Sequence, residues 1–158
     1  MKMPRRKNGF SLTEMLVAVA ILLVLMGALL AFGRRLRRQS EETLCRSTID
    51  LLVAAVEQYY DFHEAFPPMF VSVTPPQPVL SPIESLYNRL CSLPQSRVLC
   101  QKIEKSFIGD TNNNGALEFL DPWGQPLLYN YEPGDTFPDI FSAGPDKTPG
   151  TADDITAN

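Results

Sequence analysis

Residues 15–33, MLVAVAILLVLMGALLAFG, form 19 consecutive positions without a charged side chain. At about 1.5 Å per residue they make a helix of about 28 Å, close to the ~30 Å hydrocarbon thickness of a bilayer. The run exceeds the ~7–15 apolar residues of a cleavable secretory signal, although Ala31-Phe32-Gly33 has the small-x-small form of a processing site. A single membrane-spanning helix is therefore expected. Lys2, Arg5, Arg6 and Lys7 precede the run, and Arg34, Arg35, Arg37 and Arg38 follow it. The positive-inside rule nearly ties, so charge alone leaves the orientation open.

The helix is expected to continue past the apolar run. Leu44, Thr48, Leu52, Ala55, Tyr59 and Phe62 recur at steps of three and four, the spacing of an amphipathic stripe. No proline occurs from Phe10 to Phe66, and Pro67-Pro68 then stops any helix. This predicts one helix from Phe10 to about Phe62, its first half in the membrane and its second half packed on a small domain.

Glu14 sits at the edge of the apolar run, where an ionisable group costs roughly 2.5–3.5 kcal/mol on insertion scales. Cleavage between Gly9 and Phe10 would create an α-amino group one helical turn away. That ammonium and the Glu14 carboxylate would neutralise each other in low dielectric. Formed between neighbouring chains, the pair would set the register of an assembly.

The stretch Gly9-Phe10-Ser11-Leu12-Thr13-Glu14, with a basic leader before it and the apolar run after it, resembles the prepilin peptidase site of type IV pilins and type II secretion pseudopilins. The resemblance implies cleavage after Gly9, N-methylation of Phe10, a cytoplasmic leader and a periplasmic domain, which resolves the orientation. Many relatives carry a proline in the membrane half of the helix; this chain has Gly27 and Gly33 instead.

Residues 67–120 are less informative. Met69 to Val73 suggest a short extended piece between prolines. Ser81, Pro82 and Glu84 have the spacing of a capping box at the start of a helix, and PQSRVLCQKIEKSF reads as another short helix. His63, the only histidine, is expected on the surface at a helix end. The three cysteines are Cys45, Cys91 and Cys100; in an exported chain Cys91 and Cys100 are the favoured disulfide partners, closing a short loop.

The C-terminal stretch 106–158 holds nine acids against one base, Lys147, whereas the whole chain carries a net charge of −4. That balance argues against nucleic acid, whose phosphates call for Lys and Arg, and suits a cation. In DTNNNGALEFLD, Asp110, Asn112 and Asn114 stand at alternate positions before Gly115, with Asp121 at position 12, as in an EF-hand-type loop. The following PWGQP cannot form an exit helix, and an Asn/Gly turn explains the same residues. In the last stretch, Asp146, Asp153 and Asp154 flank a Pro/Gly-rich loop near Ser142, with no thiolate or imidazole beside them. Oxygen donors on a flexible loop suit Ca²⁺ and not zinc.

Together with Asp121-Pro122-Trp123-Gly124-Gln125-Pro126 and Ser142-Ala143-Gly144-Pro145-Asp146, this region resembles the major pseudopilin subgroup of type II secretion systems. The resemblance implies an α+β, pilin-like fold, with strands near Leu127–Tyr131 and Phe137–Phe141. It also implies one structural Ca²⁺ held by Asp146, Asp153 and Asp154, completed by Ser142 or backbone carbonyls. Trp123 is expected in the hairpin core.

The expected organisation is a leader over 1–9, a membrane half over 10–33, an amphipathic half over 34–66, a variable region over 67–120, and a hairpin and calcium loop over 121–158. The implied role is structural and not enzymatic: a bacterial inner-membrane precursor cut by prepilin peptidase and assembled into a filament that drives secretion. Implied partners are further copies of the chain, other pseudopilins, the inner-membrane assembly platform, the methyltransferase and membrane lipid before extraction. The alternatives are a type IV pilus subunit and a membrane-anchored calcium module that never polymerises. No Ser/His/Asp or Cys/His spacing supports an enzyme.

Overall fold

A computed structural model describes residues 11–69 and 80–157. The proposed cleavage site, Gly9 and Phe10, lies outside the described residues, as does most of the extended piece expected at Met69 to Val73. Helix α1 runs Leu12–His63, within two residues of the expected bounds. The chain divides into two units, Met1–Gln39 and Ser40–Asn158.

In the first unit, every described side chain is exposed, including Leu16, Leu22, Val24, Leu29 and Phe32. This part of α1 is long and apolar enough to cross a membrane. Exposure of so many large apolar groups is expected of a segment whose solvent is lipid.

The second unit is α+β. After α1 come α2 (Pro82–Ser92), α3 (Pro94–Cys100), a 3₁₀ turn (Lys105–Phe107) and five short strands. Strands β1 (Ile108–Gly109) and β2 (Glu118–Phe119) pair antiparallel. Strands β3 (Leu128–Asn130), β4 (Asp139–Ser142) and β5 (Ile155–Thr156) form an antiparallel sheet in that order. Its register sets Leu128 opposite Phe141 and Ser142 opposite Ile155. The β3–β4 hairpin falls where expected; β1, β2 and β5 add to the sequence-based reading.

The core is a single apolar cluster drawn from all these elements. Ile49, Leu52, Ala55 and Val56 of α1 and Leu86 and Leu90 of α2 are wholly inaccessible, as is Phe119 of β2. The buried face of α1 is Cys45, Thr48, Ile49, Leu52, Ala55, Val56 and Tyr59. It keeps the middle of the expected stripe but not its ends, because Leu44 and Phe62 are exposed. Helix α2 starts as its sequence demands: the Ser81 N–H donates to Glu84 Oε2 at 2.6 Å, and the Glu84 N–H donates back to Ser81 Oγ at 3.4 Å. His63 stands exposed at the end of α1, its ring stacked on Tyr59 at 4.1 Å. Trp123 is half-buried against the core, in keeping with a packing role.

Candidate functional site

At the start of α1, the Ser11 N–H donates to Glu14 Oε2 at 2.9 Å. This carboxylate therefore already accepts a backbone donor from the first turn, where a helix leaves its N–H groups unpaired.

The loop between β1 and β2 is closed by hydrogen bonds of its own. Asp110 Oδ1 accepts from the Asn114 N–H at 3.1 Å, and its Oδ2 from the Gly115 N–H at 2.8 Å. The side-chain amides of Asn112 and Asn114 both donate to Glu84 Oε1 at 2.8 Å. Asp121, at the twelfth loop position, holds the next turn: its Oδ1 accepts from the Trp123 and Gln125 N–H groups at 2.9 and 2.8 Å. Asp110, Asn112 and Asn114 form a turn whose oxygens serve its own backbone and whose amides bind Glu84, with Asn113 and Gly115 in the left-handed region. Glu84 is fully buried; burial pushes its pKa up, but donors from Ser81, Asn112 and Asn114 outweigh this and hold it below the usual carboxylate value. This clasp was missed in the sequence because its members lie 28 and 30 residues apart.

The C-terminal loop between β4 and β5 is wound differently. Gly144, Lys147 and Gly150 all have positive φ. A Cβ on Gly144 would meet the Asp153 carbonyl oxygen at 2.2 Å, so only glycine permits this backbone approach. Asp153 Oδ2 accepts from the Asp146 N–H at 3.1 Å, and its Oδ1 from the Thr151 hydroxyl at 2.6 Å. The Thr151 hydroxyl and then the Asp146 N–H hold the Asp153 carboxyl below its usual range. Asp146 Oδ1 accepts from the Thr148 N–H at 2.8 Å, and Asp154 Oδ2 from the Gly150 N–H at 2.8 Å. The other oxygen of Asp154, Oδ1, is buried and accepts no hydrogen bond.

Of the sequence-predicted ligands, Asp146, Asp153 and Asp154 thus share one loop. Among the described residues no three carboxylate, imidazole or thiolate side chains converge on a point. Ser142, at the end of β4, is already engaged in hydrogen bonds. It is fully buried, its hydroxyl donates to Asp121 Oδ2 at 2.7 Å and accepts from the Gly144 N–H at 3.0 Å. The donor set that remains is oxygen only, with one buried, unpartnered carboxylate oxygen. That chemistry fits a hard cation such as Ca²⁺, which draws on main-chain carbonyls to fill its shell.

Cys91 and Cys100 are free thiols that line one pocket.

Comparison with known proteins adds three findings. Residues 4–30 match the prokaryotic N-terminal methylation motif, and residues 91–158 match the family described as type II secretion system (T2SS), protein G. The chain is 27% identical over 152 residues to the type II secretion system core protein G of Pseudomonas aeruginosa, covering 94% of this chain and 91% of the relative. No solved structure matches significantly.

Proposed function

We propose that this chain, a type II secretion pseudopilin, works by self-association and carries no catalytic site of its own. Prepilin peptidase cuts the precursor after Gly9, Phe10 is methylated, and the mature subunit joins other pseudopilins in the filament that drives secretion. The observation that carries this reading is the coincidence, in one chain, of the methylation motif over 4–30, an exposed apolar helix starting at Leu12, and the protein G domain over 91–158. The finer steps follow from physical chemistry. Before extraction, the apolar part of α1 lies in inner-membrane lipid with the domain on the periplasmic side. During assembly at an inner-membrane platform, apolar helices exchange lipid for one another, and the Phe10 amine of each incoming subunit pairs with Glu14 of a neighbour. In low dielectric an unpaired charge is costly, so this pairing selects one register.

The C-terminal loop supports a structural Ca²⁺ held by Asp146, Asp153 and Asp154 with main-chain carbonyls. The Ser142 hydroxyl, already bound to Asp121, is left out of that set. When bound, the ion supplies positive charge to a loop of like-charged carboxylates and stabilises the fold by mass action.

The deciding experiment is mass spectrometry of the mature protein from its native membrane. An N-methylated Phe10 is expected; a chain beginning at Met1 or Arg34 overturns the reading. Glu14→Ala should then be processed normally but form no filaments, and normal filaments from that variant would remove the register role.

A further inference from the structure

Helix α2 ends and α3 begins at Leu93, which caps both. Two side chains, through three hydrogen bonds, fold the second helix back onto the first. Arg97 Nε donates to the Cys91 carbonyl at 2.7 Å, its Nη2 to the Ser92 carbonyl at 3.1 Å, and the Ser96 hydroxyl to the Leu90 carbonyl at 2.8 Å. These bonds satisfy carbonyls at the end of α2 that the helix itself leaves open. They also bring Cys91, in the last turn of α2, beside Cys100, the last residue of α3. Both cysteines line a pocket of about 290 Å³ with Tyr87, Arg97, Gln101 and Lys105.

The two thiols are not equivalent. Cys91 is half-buried and reachable from the pocket, whereas Cys100 is 4% exposed. The hydrogen bond with Cys100, then the Tyr87 hydroxyl and the Arg97 guanidinium, outweigh burial and hold Cys91 below the usual thiol range. The same hydrogen bond, with burial, pushes Cys100 up. Cys45 makes the contrast: it is 1% exposed, and burial raises it to about 11.

We infer that Cys91 and Cys100 form a dithiol–disulfide exchange site in which Cys91 attacks, Cys100 resolves, and the resulting bond locks α3 onto α2. The co-reactant is a disulfide, R–S–S–R. The Cys91 thiolate attacks one of its sulfurs, forming Cys91–S–S–R and releasing R–S⁻, which takes up a proton. Cys100 then gives up its proton and attacks the Cys91 sulfur, releasing the second R–S⁻, which is protonated in turn. One intramolecular bond forms, two R–SH leave, and the electron pair passes from the protein to the oxidant. Persistence of the bond in the cell rests on the periplasmic placement proposed above, since cytoplasmic thiols are kept reduced; the exchange chemistry belongs to the folded domain.

The test treats the purified full chain in detergent with oxidised glutathione, quenches with an alkylating agent and maps the peptides by mass spectrometry. The expected product joins Cys91 to Cys100, with Cys45 alkylated only after unfolding. Cys100→Ser should trap glutathione on Cys91, and Cys91→Ser should slow modification of Cys100 by on the order of tenfold or more. Glutathione that remains on Cys91 of the unsubstituted chain, or two thiols that stay alkylatable, overturns the proposal. The same spectra of native-membrane protein report its N-terminus. A chain beginning at Phe10 whose pair will not close defeats the bond alone, and one beginning at Met1 whose pair closes defeats only the export reading.

Discussion

Ser142, at the end of β4, donates its hydroxyl to Asp121 Oδ2 at 2.7 Å across 21 residues of sequence. Asp121 opens the Asp-Pro-Trp-Gly turn and is 2% exposed, and its other oxygen accepts from the Trp123 and Gln125 N–H groups. One buried carboxylate therefore shapes the turn before the hairpin and holds the strand that leads into the acidic loop. Ser142 relays this anchor by accepting from the Gly144 N–H, where the loop begins. The turn and the loop are separate in the sequence but mechanically joined in the fold.

Asp121→Ala should destabilise the domain by about 3–5 kcal/mol, since it leaves three donors in or near the core without their acceptor. Ser142→Ala should cost less, about 1–3 kcal/mol, for one hydrogen bond to a charged group. Urea unfolding of both single variants and the double variant checks the coupling. The double variant should fall short of the sum by about 1 kcal/mol or more; strict additivity would show that the two side chains act independently.

Glu84 carries a pH dependence whose sign follows from its lowered pKa. The folded value lies below the ordinary 4.5, so the contribution to stability is fully present above 4.5 and is lost as pH falls through the folded value. Glu84→Gln removes the titration and also loses the acceptor facing the Ser81 N–H. Thermal melts from pH 7 downwards should show the variant less stable at neutrality by about 1–3 kcal/mol, with a shallower acid limb. Parallel curves for the two proteins would exclude Glu84 as the titrating group.

How far these relationships were legible depended on how local they are. Helix α1 was readable because its causes are continuous: an apolar run, no proline, and a Pro-Pro stop. Its buried face was only partly readable. A stripe drawn through Leu44 and one through Cys45 differ by one residue, about 100° of helix. Cys45 is the inward one, and its thiol meets Ser142 of β4, a partner that no spacing within α1 specifies. The capping box at Ser81 and Glu84 was legible because it closes within three residues, yet the amides that fill the rest of Glu84 come from a distant loop. Alternating oxygens before a glycine suggest cation ligands; that Glu84 accepts from the two asparagine amides is visible only in the fold. The acidic loop was identified by composition and resemblance, but the commitment of Ser142 to Asp121 required the sheet.

Glycine 144 should tolerate no side chain. Gly144→Ala places a Cβ 2.2 Å from the Asp153 carbonyl oxygen in a residue with φ of +66°. The left-handed conformation alone costs roughly 1–2 kcal/mol, and the backbone must move as well. Gly150→Ala is the matched control, because its φ is +87° but nothing lies within 4 Å of its Cβ. The expected order of melting temperatures is wild type, then Gly150→Ala, then Gly144→Ala, with the last clearly separated; equal losses would show that the close approach to Asp153 is unimportant.

Calcium should stabilise the full chain through the loop of Asp146, Asp153 and Asp154 and not through Asp110. At a Ca²⁺ concentration about 100 times Kd, mass action contributes about 2.7 kcal/mol, a rise in Tm on the order of 10 °C. A chelator should reverse it. Asp154→Asn changes the residue whose buried Oδ1 accepts no hydrogen bond and should abolish most of the calcium-dependent rise. Asp110→Asn should leave the rise intact, since both Asp110 oxygens are taken by the Asn114 and Gly115 N–H groups. Differential scanning calorimetry with and without Ca²⁺ separates the two loops. Superimposable traces for the unsubstituted protein would remove calcium from its description, and a rise lost only in Asp110→Asn would move the ion to the β1–β2 turn.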